Sequence, residues 1–115
     1  MDTIIDALAT RGFCIEPSFL EPDLVALLVA DLEARSNAGR FKDAAVGTGS
    51  SLSVRREVRG DRISWIDPPE TVAEQMLEGR LQTLRSACNR DLQLGLHDLE
   101  SHYAEYPPGL GYARH

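Results

Sequence analysis

The chain has 115 residues, 43% hydrophobic and 26% charged, a balance that suits one folded domain and excludes wholesale disorder. Lys+Arg 12 against Asp+Glu 18 gives a net charge of −6, which argues against a nucleic-acid-binding surface. No long uncharged apolar run offers a membrane span, and Met1 to Asp6 lacks the basic start of a secretory signal; a cytoplasmic protein with Cys14 and Cys88 reduced is expected.

Apolar side chains at Ile4, Ile5 and Leu8 predict a short amphipathic helix over Thr3 to Ala9, ended by Gly12. Phe13-Cys14-Ile15, between Gly12 and Pro17, reads as a brief strand. Glu21-Pro22-Asp23 opens a second helix, because proline is tolerated in the first turn and acids complement the helix dipole. Leu24, Leu27, Leu28 and Leu32 carry that helix to about Arg35, with Asn37 and Gly39 as stop signals. From Lys42 to Glu57 periodicity is lost, and Gly47, Gly49, Ser50, Ser51 and Ser53 indicate a long loop.

Arg62-Ile63-Ser64-Trp65-Ile66 reads as a strand, with Trp65 expected in the core against Val72, Met76 and Leu77. Asp67-Pro68-Pro69-Glu70 reads as a helix start with Asp67 as N-cap. The stripe Val72, Met76, Leu77, Leu81, Leu84 and Cys88 extends that helix to about Asn89, leaving Glu74 and Glu78 on a solvated face. Leu99 to Tyr106 alternates as a strand, Pro107 to Gly111 turns, and Tyr112 to His115 begins another. Two or three strands against two good helices make the fold class α+β, a single domain over residues 1–115.

No nucleophile constellation stands out. His97 and His102 are spaced for neither a helix nor a strand metal pair and read as surface or structural residues. His115 in isolation reads as a solvated residue. Gly47-Thr48-Gly49 lacks the strand, lysine and helix of a phosphate loop. Tyr103, Tyr106 and Tyr112 gather around the Pro-Gly turn; core packing is the plainer reading, and a small carboxylate ligand the sharper one.

The run Tyr106-Pro107-Pro108-Gly109-Leu110-Gly111-Tyr112-Ala113-Arg114-His115 resembles the segment leading to the first metal ligand of the iron(II)- and 2-oxoglutarate-dependent dioxygenases. The resemblance is to the prolyl 4-hydroxylase type: the hypoxia-inducible-factor prolyl hydroxylases and their bacterial relatives. Three other segments agree in order: Gly12-Phe13-Cys14-Ile15 with Phe19-Leu20, Gly39-Arg40-Phe41, and Arg59-Gly60-Asp61-Arg62-Ile63-Ser64-Trp65-Ile66. The family implies amino-terminal helices plus the first strands of a double-stranded β-helix, or jelly roll. It implies an oxidoreductase using Fe(II), 2-oxoglutarate and ascorbate to hydroxylate a proline in a protein or peptide.

By this resemblance His115 matches the first iron ligand, and Tyr106 and Tyr112 match residues of the 2-oxoglutarate pocket. The Ala44 to Glu57 loop matches the one that closes over substrate, with Arg59 and Asp61 at its base. The family's Asp, distal His and 2-oxoglutarate-clamping Arg fall beyond His115. The resemblance therefore covers the amino-terminal half of such a domain, and these residues alone are expected to be inactive. The competing reading is a non-catalytic interaction module derived from the same fold, able to form a homodimer.

Overall fold

The computed structural model describes residues 1–44 and 60–109. The elements run α1 (Asp2–Arg11), α2 (Pro22–Asn37), β1 (Lys42–Asp43), β2 (Arg62–Trp65), α3 (Val72–Asp91) and β3 (His102–Glu105). The fold is α+β, and no described helix is long and apolar enough to cross a membrane. Two compact units divide the chain: Met1–Asp31 with Pro68–Leu99, and the described residues of Leu32–Asp67 with Glu100–His115.

The first unit is helical. Gly12 ends α1 in the left-handed region at φ 79°, and its N–H bonds Leu8 O at 3.0 Å; a side chain would be strained there. On α1, Ile5 is buried with Ala87 and Cys88 of α3, and Leu8, Leu84 and Leu92 pack around them. Cys88 is thus a small core residue, and both cysteines are free. The stripe expected on α3 holds at this end only. Val72 is 71% exposed, whereas Ala73 and Glu74 are buried.

The start of α3 differs from expectation. Its N-cap is Thr71, not Asp67. A residue before a proline is pushed toward extended backbone; that suits Asp67 as a cap, but Pro68, which would be the first helical residue, precedes Pro69 and is driven out of the helical region. The next competent box, Thr71 to Glu74, takes over. Thr71 Oγ1 accepts from the Glu74 N–H at 3.1 Å, and Glu74 Oε1 accepts from the Glu70 N–H at 2.8 Å. Glu74, expected on a solvated face, is one of the most deeply buried side chains described.

Phe13 to Ile15 form no strand; Phe13 and Ile15 are exposed, and no described strand pairs with them. Without a ladder partner, β-propensity alone does not hold an extended run in place.

The second unit holds a three-stranded antiparallel sheet of order β1-β2-β3. Lys42 and Asp43, read from sequence as loop, pair with Ile63 and Arg62. Ala44, fully buried, continues by donating its N–H to Asp61 O at 3.0 Å. β2 pairs with β3 as Arg62↔Glu105, Ile63↔Ala104, Ser64↔Tyr103 and Trp65↔His102. Ile63, Ser64 and Tyr103 are buried. Trp65 is not the core residue expected: it is 42% exposed and meets the His102 ring edge-to-face at 4.9 Å. It is the last residue of its strand, and the sheet leaves its indole partly open.

Candidate functional site

The described residues on either side of the segment read as a substrate loop, Ala44 and Gly60, lie at one end of this sheet. The chain leaves the described residues after Ala44 and returns at Gly60, beside Asp61. The antiparallel order places the end of β1, the start of β2 and the end of β3 together. Arg62 faces Glu105, so the next positions outward are Asp61 and Tyr106. Of the candidate residues, Asp61 and Tyr106 are therefore brought to the same end of the sheet. Arg59, Tyr112 and His115 lie outside the described residues, as do Ser50 and Ser51 of the expected loop.

Asp61 and Tyr106 differ in environment. Asp61 is 1% exposed, so its carboxylate stands inside the protein. Tyr106 is 49% exposed, which leaves an aromatic ring with a polar tip at the surface. A half-exposed tyrosine hydroxyl can donate to a carboxylate without first giving up a buried partner.

Arg62 ties the three strands together at this end. Its guanidinium lies 3.3 Å from Glu105 Oε1, 4.0 Å from Asp43 Oδ1, and 3.3 Å from the Phe41 carbonyl. The side chain is 39% exposed, so solvent screens the ion pairs and their contribution is modest. Its role is geometric, since one planar fork reaches groups on both neighbours of β2.

Beneath the sheet, sequence reasoning missed Arg35, which α2 carries at 4% exposure. Its Nη1 donates to Ser64 Oγ at 3.1 Å and to the Trp65 carbonyl at 2.7 Å. Its guanidinium carbon lies 5.3 Å from the centroid of the Tyr103 ring. The sequence signal was faint: an arginine in the last turn of an amphipathic helix normally reads as a solvated partner of the helix dipole.

The two described imidazoles, of His97 and His102, do not gather into a site. His102 meets Trp65 edge-to-face, and His97 enters through its backbone, whose carbonyl accepts from Arg85. Among the described residues no group of three His, Cys, Asp or Glu side chains could hold a metal ion. The described donors thus do not by themselves make an iron site.

No family model matches the chain. Among solved structures, a Pseudomonas putida prolyl-4-hydroxylase matches with a TM-score of 0.88 and 39% sequence identity, covering 99% of this chain. The chain spans 59% of the length of that protein. The likeness takes in the described helices and sheet, including the sheet end that carries Asp61 and Tyr106.

Proposed function

We propose that the chain is the amino-terminal part of an iron(II)- and 2-oxoglutarate-dependent dioxygenase domain that hydroxylates a prolyl residue of a protein substrate. The observation that carries the reading is the likeness to the Pseudomonas putida prolyl-4-hydroxylase, at 39% identity over 99% of the chain. In this reading the remaining strands complete a jelly roll. His115 is an iron ligand, Tyr106 and Tyr112 line the 2-oxoglutarate pocket, and Arg59 and Asp61 sit at the base of the substrate loop. Ascorbate keeps the metal reduced, and the setting is cytoplasmic.

Iron with 2-oxoglutarate would supply the oxidising chemistry, in which dioxygen, 2-oxoglutarate and a prolyl residue become succinate, carbon dioxide and a hydroxylated proline, one oxygen atom going to each of succinate and proline. The chain's own residues bind and orient. Tyr106 offers a hydroxyl at an accessible edge, and Asp61 and Arg62 hold the strands that present it.

A second reading rests on exposed apolar side chains, Ile15 at 80% and Val72 at 71%. That reading is a non-catalytic interaction module or homodimer.

A chimera separates the two. Residues 1–115 replace the matching residues of the Pseudomonas putida enzyme, and succinate release is measured with Fe(II), ascorbate, 2-oxoglutarate and a proline-containing peptide. The hydroxylase reading expects peptide-dependent succinate and a hydroxylated proline by mass spectrometry. A folded, inactive chimera, together with a 115-residue chain that sediments as a dimer, would favour the interaction module.

A further inference from the structure

One guanidinium touches both members of a cross-strand pair. Ser64 and Tyr103 are direct register partners, and both are buried. Arg35 donates to Ser64 Oγ and to the adjoining Trp65 carbonyl, and its guanidinium sits over the Tyr103 ring. It is held from below as well: Gly39 at φ 71° closes the end of α2, and the Arg40 N–H returns to the Arg35 carbonyl at 2.9 Å. The arginine therefore reaches the sheet from a fixed helix terminus.

Register is what such a contact can read. A slip of β2 against β3 by one residue turns buried side chains outward, and the hydrophobic pattern already forbids it. A slip by two preserves the faces, so the pattern alone does not forbid that one. It would place Ser101 or Glu105 opposite Ser64, and neither carries a ring for the guanidinium. A slip by two would also move Asp61 away from Tyr106, toward Ala104 or Pro108.

We infer that Arg35 is a positioning residue, fixing the β2–β3 register that sets Tyr106 beside Asp61. Its importance for 2-oxoglutarate rests on the function proposed above; the register claim itself does not. A buried charge used to select one arrangement among near-equivalent ones is a known role for such groups.

The test uses the isotope-labelled 115-residue chain and nuclear magnetic resonance. Arg35→Met keeps most of the aliphatic stem and removes the guanidinium. The Ser64–Tyr103 cross-strand contact should be lost, and the Tyr106 ring signals should move or split, while α1 and α3 amides stay in place. Arg35→Lys, which retains a cationic donor, should restore part of the wild-type pattern and serves alone if Arg35→Met fails to fold. Ile5→Ala, a core change in the other unit, should destabilise the chain without moving Tyr106. Unchanged Tyr106 signals in a folded Arg35→Met chain, or equal movement in Ile5→Ala, overturn the inference. Failure of the proposed function shows elsewhere, as 2-oxoglutarate binding by the chimera that ignores Tyr106→Phe.

Discussion

Thr71 stands between two elements of the helical unit: its hydroxyl accepts from the Glu74 N–H at 3.1 Å and donates to Asp31 Oδ2 of α2 at 2.6 Å. One oxygen thus caps α3 and fastens it to α2. An N-cap alone is worth ~1 kcal/mol, and a hydrogen bond to a charged group about 1.5–3 kcal/mol.

Thr71→Ala should therefore lower unfolding free energy by about 2–4 kcal/mol, read from urea melts. Thr71→Ser, which keeps the hydroxyl, should recover most of it. A loss no greater than ~0.5 kcal/mol for the alanine variant would mean that the cap is redundant.

Thr71 also marks where the sequence was legible and where it was not. The helix itself was plain from Leu77, Leu81, Leu84 and Cys88. Its start was ambiguous because two boxes, Asp67 to Glu70 and Thr71 to Glu74, compete within a few residues. The consecutive prolines decide it, through backbone sterics rather than capping preference. The second strand and the Tyr106 turn were readable because aromatic and β-branched residues sit between breakers. Strand pairing was not: nothing local in Lys42 or Asp43 announces a partner near Arg62. Arg35 and Glu74 were hidden for a related reason. Charged residues on amphipathic helices read as solvated, and only tertiary packing buries them.

Trp65 should behave as a surface aromatic. At 42% exposure, in edge-to-face contact with His102, it gains about 0.5–1.5 kcal/mol from that pair beyond simple burial. Trp65→Ala should then cost about 1–2 kcal/mol, below the ~3–5 kcal/mol of a core aromatic. Its fluorescence should be red-shifted and readily quenched by acrylamide. A blue-shifted, unquenchable tryptophan in the folded chain would contradict this packing.

The Glu21–Arg80 pair links the residue just before α2 to α3 at 2.6 Å. The Arg80 hydrogen bond, aided by Glu21's own backbone N–H, holds the Glu21 carboxyl below its ordinary value of 4.5. A carboxyl whose folded value is depressed contributes stability above its unfolded value and loses it as pH falls through the folded one. Acid titration of wild type should thus show a drop below the ordinary carboxyl value that Arg80→Met reduces. Because both side chains are solvent-exposed, about 1 M salt should shrink the difference as well. Identical acid limbs in the two proteins would remove this pair as a contributor.

Tyr106 and His115 should fail in different ways if the hydroxylase reading holds. Tyr106 is 49% exposed, so Tyr106→Phe leaves folding nearly unchanged, within about 0.5 kcal/mol. It deletes one hydrogen bond to an anionic ligand, about 1.5–3 kcal/mol, which corresponds to roughly ten- to a hundred-fold weaker 2-oxoglutarate binding. Iron content in the chimera should stay at the wild-type level. His115→Ala should instead empty the chimera of iron and abolish succinate release, because neutral imidazole is a strong donor to iron(II) and its loss opens the coordination shell. Metal analysis and 2-oxoglutarate titration of both variants distinguish the roles. Full iron occupancy in His115→Ala would remove that histidine from the metal site, and unaltered 2-oxoglutarate affinity in Tyr106→Phe would return Tyr106 to the status of a packed surface aromatic.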